Sequence, residues 1–404
     1  MTSLTVALEG AAPSASASAI APAGERLHAL DSLRATAMLL GIVLHAAASL
    51  TLFPLPWPVH DVSRNAGFDA LLGFIHGFRM QVFFLLAGFF GHLVWRRLGT
   101  RGFLLQRGQR IGIPLVAGLV VLIPIILLLW KWADLRTGST FMQQQERNAT
   151  LLTYPTAHLW FLEVLLILYL LAMALAQLAR WPQVASRLPR IDASFDWLMR
   201  QPLKPILLMV PTLALLWGGP RIPEIDDPGI RLLPAAGAVA YYGMFFAVGW
   251  WLHRRSHLVD VMRNWLPAYF ATALVAFIAL GASLRLAASP AAAHNWTAIK
   301  LTALMAVALY AWCMTFAMTG LFLRIANGHR PWMRYLADAS YWWYLWHLPI
   351  VMMLQIWIAD WPLNGWLKLL LILALTMAIL LPSYHVLVRY TWIGRILNGP
   401  RERR

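Results

Sequence analysis

Residues 26–52 read RLHALDSLRATAMLLGIVLHAAASLTL, and this mostly apolar stretch decides the fold. It is long enough to cross a lipid bilayer, which takes about 20 residues of helix. It nevertheless carries Asp31, Arg34 and His45, although an arginine at mid-helix costs roughly 2.5–3.5 kcal/mol on insertion scales. Arg34 and His45 are eleven positions apart, which puts them within roughly 20° of one helix face and about 16 Å apart along the axis. Asp31 lies one turn before Arg34 on that face and can pair with it.

Two explanations fit these polar residues. Asp31 and Arg34 could simply mark the cytoplasmic end of the span, where a long arginine side chain reaches the lipid headgroups. The other explanation is function, because ionisable residues inside spanning helices usually belong to a site or a pathway. His45 favours the functional explanation, since it lies deep in the apolar stretch between Leu44 and Ala46.

The composition indicates a helical membrane protein with several spans. Of 404 residues, 60% are hydrophobic and 12% are charged, whereas about a quarter of a soluble protein is charged. The net charge of +16 comes from basic residues in short segments between apolar runs. That pattern follows the positive-inside rule and does not indicate a nucleic-acid surface. Cys313 is the one cysteine, which excludes an internal disulfide.

Apolar runs along the chain predict an all-α, polytopic membrane bundle of ten transmembrane helices in one domain, residues 26–390. Basic segments follow the second, fourth, sixth and eighth runs, so we expect both termini to be cytoplasmic. Residues 1–25 are rich in Ala, Ser and Pro and predict a disordered tail, and residues 391–404 predict a basic tail. The predicted spans are 30–52, 68–95, 112–130, 157–179, 203–218, 235–252, 266–286, 297–320, 340–358 and 366–388.

Other predicted spans also carry polar side chains. His76 and Arg79 lie three residues apart on one face of the second span, and Glu163 lies inside the fourth. A buried arginine needs a counter-charge or an aqueous cavity, so Arg79 either forms a structural ion pair with Glu163 or serves a site. In the ninth span Tyr344 and His347 share a face, although the tyrosines there also fit an interfacial aromatic cluster.

The segment before the third span, RGQRIGIP, holds Arg107 and Arg110 three residues apart. Paired guanidinium groups at a membrane surface suit phosphate groups, because each can bind two oxygens at once. Spacing alone favours the simpler explanation, which is ordinary positive-inside charge. The chain lacks an H-E-x-x-H motif, cysteine pairs, a G-x-S-x-G elbow and a nucleotide-binding loop, so we predict no metal site.

Taken in order, these segments resemble the acyltransferase 3 family of integral membrane O-acyltransferases over nearly the whole chain, from about Leu27 to Val388. The resemblance rests on LDSLRA with its Arg34-x10-His45 spacing, HGFRMQVFFLLAGFF, RGQRIGIP, HLWFL and SYWWYLWHLP. The FRM stretch and the ten predicted spans resemble the glucan biosynthesis protein C-like branch, which is associated with succinyl groups on periplasmic glucans. Ala87 departs from the Ser that many family members carry.

This resemblance implies transfer of an acyl group, acetyl or succinyl, from cytoplasmic acyl-CoA to a hydroxyl of a periplasmic or cell-surface glycan. It implies a multi-pass protein of the bacterial inner (plasma) membrane, with acyl-CoA as co-substrate and no permanently bound cofactor. His45 matches the family's essential histidine and Arg34 its paired basic residue. Arg107 and Arg110 match an arginine pair thought to serve the donor side.

For such a reaction we expect His45 either to act as general base for the acceptor hydroxyl or to carry the acyl group itself. Arg34 or Arg79 would stabilise the developing oxyanion, and Glu163 would orient an imidazole or neutralise Arg79. The remaining polar residues would line the substrate path: Asp31, His76, Tyr344 and His347. The rival function is a transporter or flippase for a glycan or an anionic small molecule. Both functions are compatible with Arg79 and Glu163, and the sequence does not predict an oligomeric state.

Overall fold

A computed structural model describes residues 23–138, 142, 154–218, 229, 232–290, 292–326, 328 and 330–399. Over these residues the chain is all-α, as predicted, and contains no strand. The α-helices are α1 Ala23–Ala47, α2 Ala66–Arg107, α3 Ile113–Thr137, α4 Trp160–Leu178, α5 Pro182–Ala185, α6 Leu188–Arg200, α7 Lys204–Trp217, α8 Ala236–Arg254, α9 Leu266–Ala287, α10 Ala292–Ile325, α11 Pro331–Ile358, α12 Gly365–Ser383 and α13 Trp392–Asn398.

The predicted N-terminal tail lies largely outside the described residues, whereas most of the predicted C-terminal tail lies inside them. α1 begins at Ala23, so it takes in the last three residues of the tail predicted at 1–25, and the earlier residues of that tail are not described. At the other end, α13 falls within the tail predicted at 391–404, and residues 400–404 are not described.

Six continuous helical stretches of the described chain are long and apolar enough to cross a membrane. One of them, Ala66–Thr137, runs for 72 residues and takes in both α2 and α3. α7 is apolar but shorter, and α8 and α11 are not among the six. Each of the ten predicted spans still overlaps a different helix, so the number of crossings remains a prediction. The six stretches are His28–Leu50, Ala66–Thr137, Ala157–Leu178, Leu266–Ala287, His294–Ile325 and Gly365–Val388.

The join between α2 and α3 is helical, whereas a loop was expected after residue 95. α2 continues to Arg107, and a π-helical turn, Gly108–Gly112, leads directly into α3. Gly99 has a φ of 67°, a backbone conformation that favours glycine, and it redirects the helix at that point. π-turns inside helices often occur at functional sites, and this turn carries Arg110.

α1 lies inside the bundle. It packs mainly against α11 and α2, and it also contacts α10 and α12. Small and apolar residues such as Ala29, Leu33, Ala37 and Ala46 are buried along it. Small residues let membrane helices approach closely without side-chain obstruction. The helix predicted to carry the site is therefore enclosed by other helices.

Glycines bring α2 and α8 into backbone contact. A Cβ placed on Gly88 would overlap the carbonyl oxygen of Phe246, and a Cβ on Gly249 would overlap that of Leu85. Any side chain at either position would push the two helices apart, because the obstacle is backbone and cannot rotate away. This close contact fixes the position of α2, which carries Arg79.

The segment between α1 and α2 folds back across the end of α1 that carries His45. Lys368 of α12 and Asp61 form a fully buried ion pair with 2.7 Å between Nζ and Oδ1, and Lys368 also donates to the carbonyl of Ala359. Ser63 donates from its hydroxyl to the carbonyl of Leu363 at 2.6 Å. These contacts join the segment to the turn between α11 and α12, and they hold Trp57 against α1.

An amphipathic helix, α6, is attached to the end of α8 by two ion pairs. Arg254 donates to Asp192 through two bonds of 2.9 and 2.8 Å, and Arg255 binds Asp196 in the same way. The hydrogen bonds from these arginines hold the pKa of each carboxyl group below its ordinary value.

Candidate active site

Two groups of polar side chains lie at different levels of α1, one at its middle and one at its last turn. The histidine cluster consists of His45, His158 and His347. The arginine cluster consists of Arg34, Arg107 and Arg110, whose charges act on one another. Arg34 and His45 were expected to share a face of α1, and each belongs to one of these clusters.

The histidine cluster joins three separate parts of the chain. His45 lies in the last turn of α1, His347 in the middle of α11, and His158 in a short 3-10 helix before α4. The ring centroids of His45 and His347 are 5.2 Å apart, and those of His347 and His158 are 5.4 Å apart. Sequence reasoning predicted the first two residues for the site but left His158 out.

A proline in α11 fixes the position of His158. Pro349 has no amide hydrogen, so the carbonyl of Leu345, four residues earlier, lacks its usual helix partner. His158 Nε2 lies 3.1 Å from that carbonyl oxygen. Because a carbonyl only accepts, Nε2 carries the proton and donates it. Pro349 ends the SYWWYLWHLP motif, and the carbonyl that it leaves free is the signal that could have identified His158.

Tyr344 and His347 lie one turn apart on α11 and are also tied to backbone carbonyls. The Tyr344 hydroxyl donates to the carbonyl of His158 at 2.7 Å. His347 Nδ1 lies 2.8 and 3.0 Å from the carbonyls of Tyr344 and Trp343. Both side chains are buried, so their positions are set by α11 rather than by solvent.

Trp57 and Gln355 hold His45 from its other side. The Trp57 ring stacks on the His45 ring at 5.8 Å with 12° between the planes. Trp57 Nε1 donates to the amide oxygen of Gln355 at 2.9 Å. The amide nitrogen of Gln355 donates to the carbonyls of His45 and Ala46 at 2.9 and 3.0 Å. Both residues were missed at the sequence level, because the chain brings them to His45 from distant segments.

Arg79 lies beside α1, one turn before His45. A Cβ at Gly41 would overlap the guanidinium of Arg79, so only a glycine leaves room for it. The charge of Arg79 acts on His45 and on His347. His76 also acts on His45 and is an exposed residue of α2. The structure therefore brings the expected pair on α2 to the histidine cluster.

Glu163 does not pair with Arg79, contrary to one of the two expectations for it. Within the described chain its carboxylate makes no ion pair, and its buried Oε2 has no hydrogen-bond partner. Phe161 of α4 contacts Tyr344, with 5.9 Å between ring centroids. The helical position two residues further on faces about 160° away. In the described chain no hydrogen bond joins the buried Oε2 of Glu163 to the histidine cluster, and its role in orienting an imidazole stays a prediction.

The arginine cluster combines three cations with one carboxylate. Arg34 pairs with Asp31 at 3.2 Å, as expected, and both side chains are about two-fifths exposed. Arg107 lies over the rings of Phe103 and Tyr169, at 5.1 and 4.8 Å. Within the described residues, Asp31 is the only acid that forms an ion pair with this cluster. A concentration of positive charge with so little compensation attracts anions.

Arg110 contacts the end of the described chain. Its guanidinium donates to the carbonyl of Asn398 in α13 at 3.3 Å. The Tyr341 hydroxyl donates to the backbone carbonyl of Arg110 at 2.6 Å. These contacts fix the π-turn against α11 and α13.

One face of α11 connects the two clusters. Tyr341 contacts the backbone of Arg110, Tyr344 follows at 6.3 Å between ring centroids, and His347 follows Tyr344 at 6.4 Å. α11 thus carries a continuous row of aromatic rings from the arginine cluster to the histidine cluster. Among the described residues, no group of three or more His, Cys, Asp or Glu side chains is arranged to hold a metal ion.

Comparison with known proteins adds the family. The acyltransferase 3 family model, described as an acyltransferase domain, matches residues 27–385. Relatives named Glucans biosynthesis protein C, from Salmonella paratyphi B, Salmonella heidelberg and Salmonella schwarzengrund, are 35% identical over 144 residues. That alignment covers 35% of this chain and 37% of each relative, so the chain matches little more than a third of their length. No solved structure matches.

The family match takes in every residue of both clusters, from Arg34 in α1 to His347 in α11. It covers most of the chain, and it agrees with the motifs on which the resemblance rests. The apolar helices in the same region indicate a lipid bilayer as the surroundings. The apolar helices indicate a multi-pass membrane protein, and the chain belongs to the acyltransferase 3 family.

Proposed function

We propose that this protein transfers an acetyl or succinyl group from cytoplasmic acyl-CoA to a hydroxyl of a periplasmic or cell-surface glycan. The observation that carries the proposal is the separation of the two clusters along α1, joined by the row of rings on α11. A cationic end suits the phosphates of CoA, and an imidazole end suits a hydroxyl. The pantetheine arm of CoA would extend from the arginine cluster towards the histidine cluster.

The donor binds at the arginine cluster in this proposal. Arg107 and Arg110 hold phosphate groups of CoA, because guanidinium groups bind phosphate oxygens in pairs. Arg34 adds a third positive charge and exchanges part of its contact with Asp31 for the donor. Arg110 is already in contact with the carbonyl of Asn398, which the donor would replace.

His45 acts as general base in the proposed reaction. It is half-buried rather than sealed, so a hydroxyl can reach the ring. The acceptor oxygen bonds to the thioester carbon, and the carbon–sulfur bond breaks. The hydroxyl proton passes to His45 and then to the sulfur, so the products are an ester and free CoA. Arg79 stabilises the oxyanion, since it lies beside His45 in a water-poor setting.

The acceptor is proposed as a glycan because of the relatives. The matched Salmonella proteins carry the name Glucans biosynthesis protein C, which makes a glucan the first acceptor to test. His76 and Tyr344 would lie along the path of that acceptor, near His45.

The proposal includes ten crossings with both termini in the cytoplasm of a bacterium, and the protein in its inner membrane. The distribution of arginine supports this orientation. A test uses Cys313→Ala as a cysteine-free background with one new cysteine, either His60→Cys or Gln183→Cys, both exposed positions. A maleimide that cannot cross membranes should label the first in intact cells and the second only after lysis. The opposite order would contradict the orientation.

The central experiment measures acyl transfer directly. Purified full-chain protein in vesicles receives labelled acetyl-CoA or succinyl-CoA and gluco-oligosaccharides. We expect label on the glycan, and we expect His45→Gln to lower the rate by about 10²–10⁴-fold. His257→Gln is the control, because His257 is an exposed histidine of the segment after α8. Movement of unlabelled glycan across the vesicle membrane, with no ester formed, would instead establish the flippase.

A further inference from the structure

Within the described residues, three ring nitrogens of the histidine cluster are buried without a hydrogen-bond partner. They are His45 Nδ1, His158 Nδ1 and His347 Nε2. Buried polar atoms in proteins are nearly always paired, so an unpaired group needs an explanation. Three such nitrogens on neighbouring rings indicate hydrogen bonds that form during the reaction and are long or poorly aligned in the free enzyme.

The proton on His347 can be located from its partners. Nδ1 faces two backbone carbonyls, at 2.8 and 3.0 Å, and carbonyls only accept. Nδ1 therefore carries the hydrogen, and Nε2 presents a lone pair. That lone pair is a hydrogen-bond acceptor with no donor in the described part of the chain.

The donor that fits this lone pair is His45. Its ring centroid lies 5.2 Å from that of His347, and its Nδ1 is itself unpaired. A second histidine pair in the protein provides a scale: His92 and His253 are hydrogen-bonded, with 2.7 Å between nitrogens and 4.9 Å between centroids. The two separations are nearly equal. The centroid separation of His45 and His347 is therefore compatible with a hydrogen bond between the two rings.

We propose that His347 is a positioning residue that accepts a hydrogen bond from His45 Nδ1 and thereby leaves the lone pair of His45 on Nε2. This rests on the proposed role of His45 as general base. A histidine base needs a fixed tautomer, and a carboxylate beside it usually sets that tautomer. Here a neutral imidazole, locked by the backbone of α11, takes that place. Glu163, the carboxylate expected in this role, makes no hydrogen bond through its buried Oε2 in the described chain.

The first test follows the chemistry of His45 without acyl transfer. Diethyl pyrocarbonate acylates the bare nitrogen of a histidine, and mass spectrometry reads its rate residue by residue. We expect His347→Phe to lower the rate at His45 about tenfold, because the tautomer is no longer fixed. His347→Gln, whose amide oxygen can accept the same bond, should restore it. Exposed His257 serves as internal reference in every sample. Equal rates at His45 in all three proteins would overturn the proposal.

The second test measures kinetics. His347→Phe should lower kcat by about 10²-fold with little change in the KM for acyl-CoA, and His347→Gln should recover most of the loss. A change in KM alone, or no rescue by glutamine, would show that His347 does not position His45. If the labelling pattern holds but no ester forms in any protein, the proposed function fails and the tautomer assignment stands.

A third measurement needs no variant of His347. Nitrogen-15 NMR of the histidine-labelled wild-type protein separates protonated from bare ring nitrogens, and loss of signals in His45→Gln identifies those of His45. We expect Nδ1 to be protonated and Nε2 bare. The reverse assignment would overturn the proposal even if the phenylalanine variant did not fold.

Discussion

Two histidine pairs in this protein have nearly the same spacing and opposite hydrogen bonding. His92 of α2 and His253 of α8 share a hydrogen bond of 2.7 Å, and neither ring has a buried nitrogen left unpaired. His45 of α1 and His347 of α11 lie 5.2 Å apart between centroids, and each has one buried nitrogen with no partner among the described residues. The first pair is complete and joins two helices. The second keeps hydrogen-bonding capacity that a substrate or a proton transfer can use, which is what distinguishes a site from a structural contact.

The largest effect should come from the buried ion pair that holds the segment between α1 and α2, which packs Trp57 on His45. Lys368→Met leaves Asp61 charged, buried and unpaired. Such a change costs about 3–5 kcal/mol. We expect a large drop in thermal unfolding midpoint, measured in detergent. The double variant with Asp61→Leu should regain much of it, because no isolated charge remains. A single variant as stable as the wild type would contradict the role given to this pair.

The next effect concerns Arg79 and the pair formed by His45 and His347. Gly41→Ala places a methyl group where the Arg79 guanidinium lies, so that group has to move. We expect kcat to fall about 10²-fold, since loss of one oxyanion-stabilising group typically costs that much. Gly281→Ala is the matched control, because a Cβ there meets nothing within 4 Å. Equal activity in both variants would remove Arg79 from the reaction.

The hydrogen-bonded pair, His92 and His253, should respond in the opposite way: its loss should lower stability and leave activity nearly unchanged. His253→Phe removes the partner of His92 and leaves its buried Nδ1 unpaired. The cost should be about 1–3 kcal/mol of unfolding free energy. We expect chemical denaturation to detect this loss while kcat, measured on the folded fraction, stays close to that of the wild type. A loss of kcat without a loss of stability would mean that the pair of His92 and His253 also serves the reaction.

A smaller effect separates stacking from hydrogen bonding at His45. Trp57→Phe keeps an aromatic ring over His45 but removes the N–H that reaches Gln355. We expect a loss of about 1 kcal/mol in stability, typical of one hydrogen bond, and a decrease in kcat of only a few-fold. Trp57→Ala also removes the stacking and should reduce kcat further. The order of the two variants in a steady-state assay checks this prediction.

The smallest effect concerns the ion pair of Arg254, the residue after His253, and depends on pH. Arg254 holds the pKa of Asp192 below its ordinary value of 3.8. A lowered pKa in the folded protein means that the contribution to stability is present above pH 3.8 and is lost as the pH falls through the folded value. We expect Asp192→Asn to cost about 0.5 kcal/mol at pH 7, because the pair is partly exposed. Unfolding midpoints of wild type and variant should converge at acidic pH, and a gap that widened there would contradict the assignment.

Much of the site follows from the pattern of the sequence. His45 and Arg34 were identified because ionisable residues stand out in an apolar helix, and helical spacing alone puts them on one face. For Arg107 and Arg110 spacing alone favoured ordinary positive-inside charge, and the family resemblance made them candidates. The structure adds that they converge with Arg34.

The rest required tertiary structure. Glu163 looked suitable because it is an acid in an apolar span, but its direction depends on which face of α4 meets α11. Trp57 and Gln355 meet only because the segment after α1 folds back over it. The helical join between α2 and α3 was hidden by its arginines, which resemble those of a loop. Local pattern carries no information about how helices are rotated relative to one another.

Pro349 has a consequence for how such chains can change over evolution. The missing amide frees the carbonyl of Leu345, and His158 from a distant segment binds it. Restoring an ordinary residue at 349 would return that carbonyl to the helix and leave the imidazole without its anchor. Pro349 and His158, almost two hundred residues apart in sequence, should therefore be conserved or replaced together. Homologues that lose the proline should tend to replace the histidine as well.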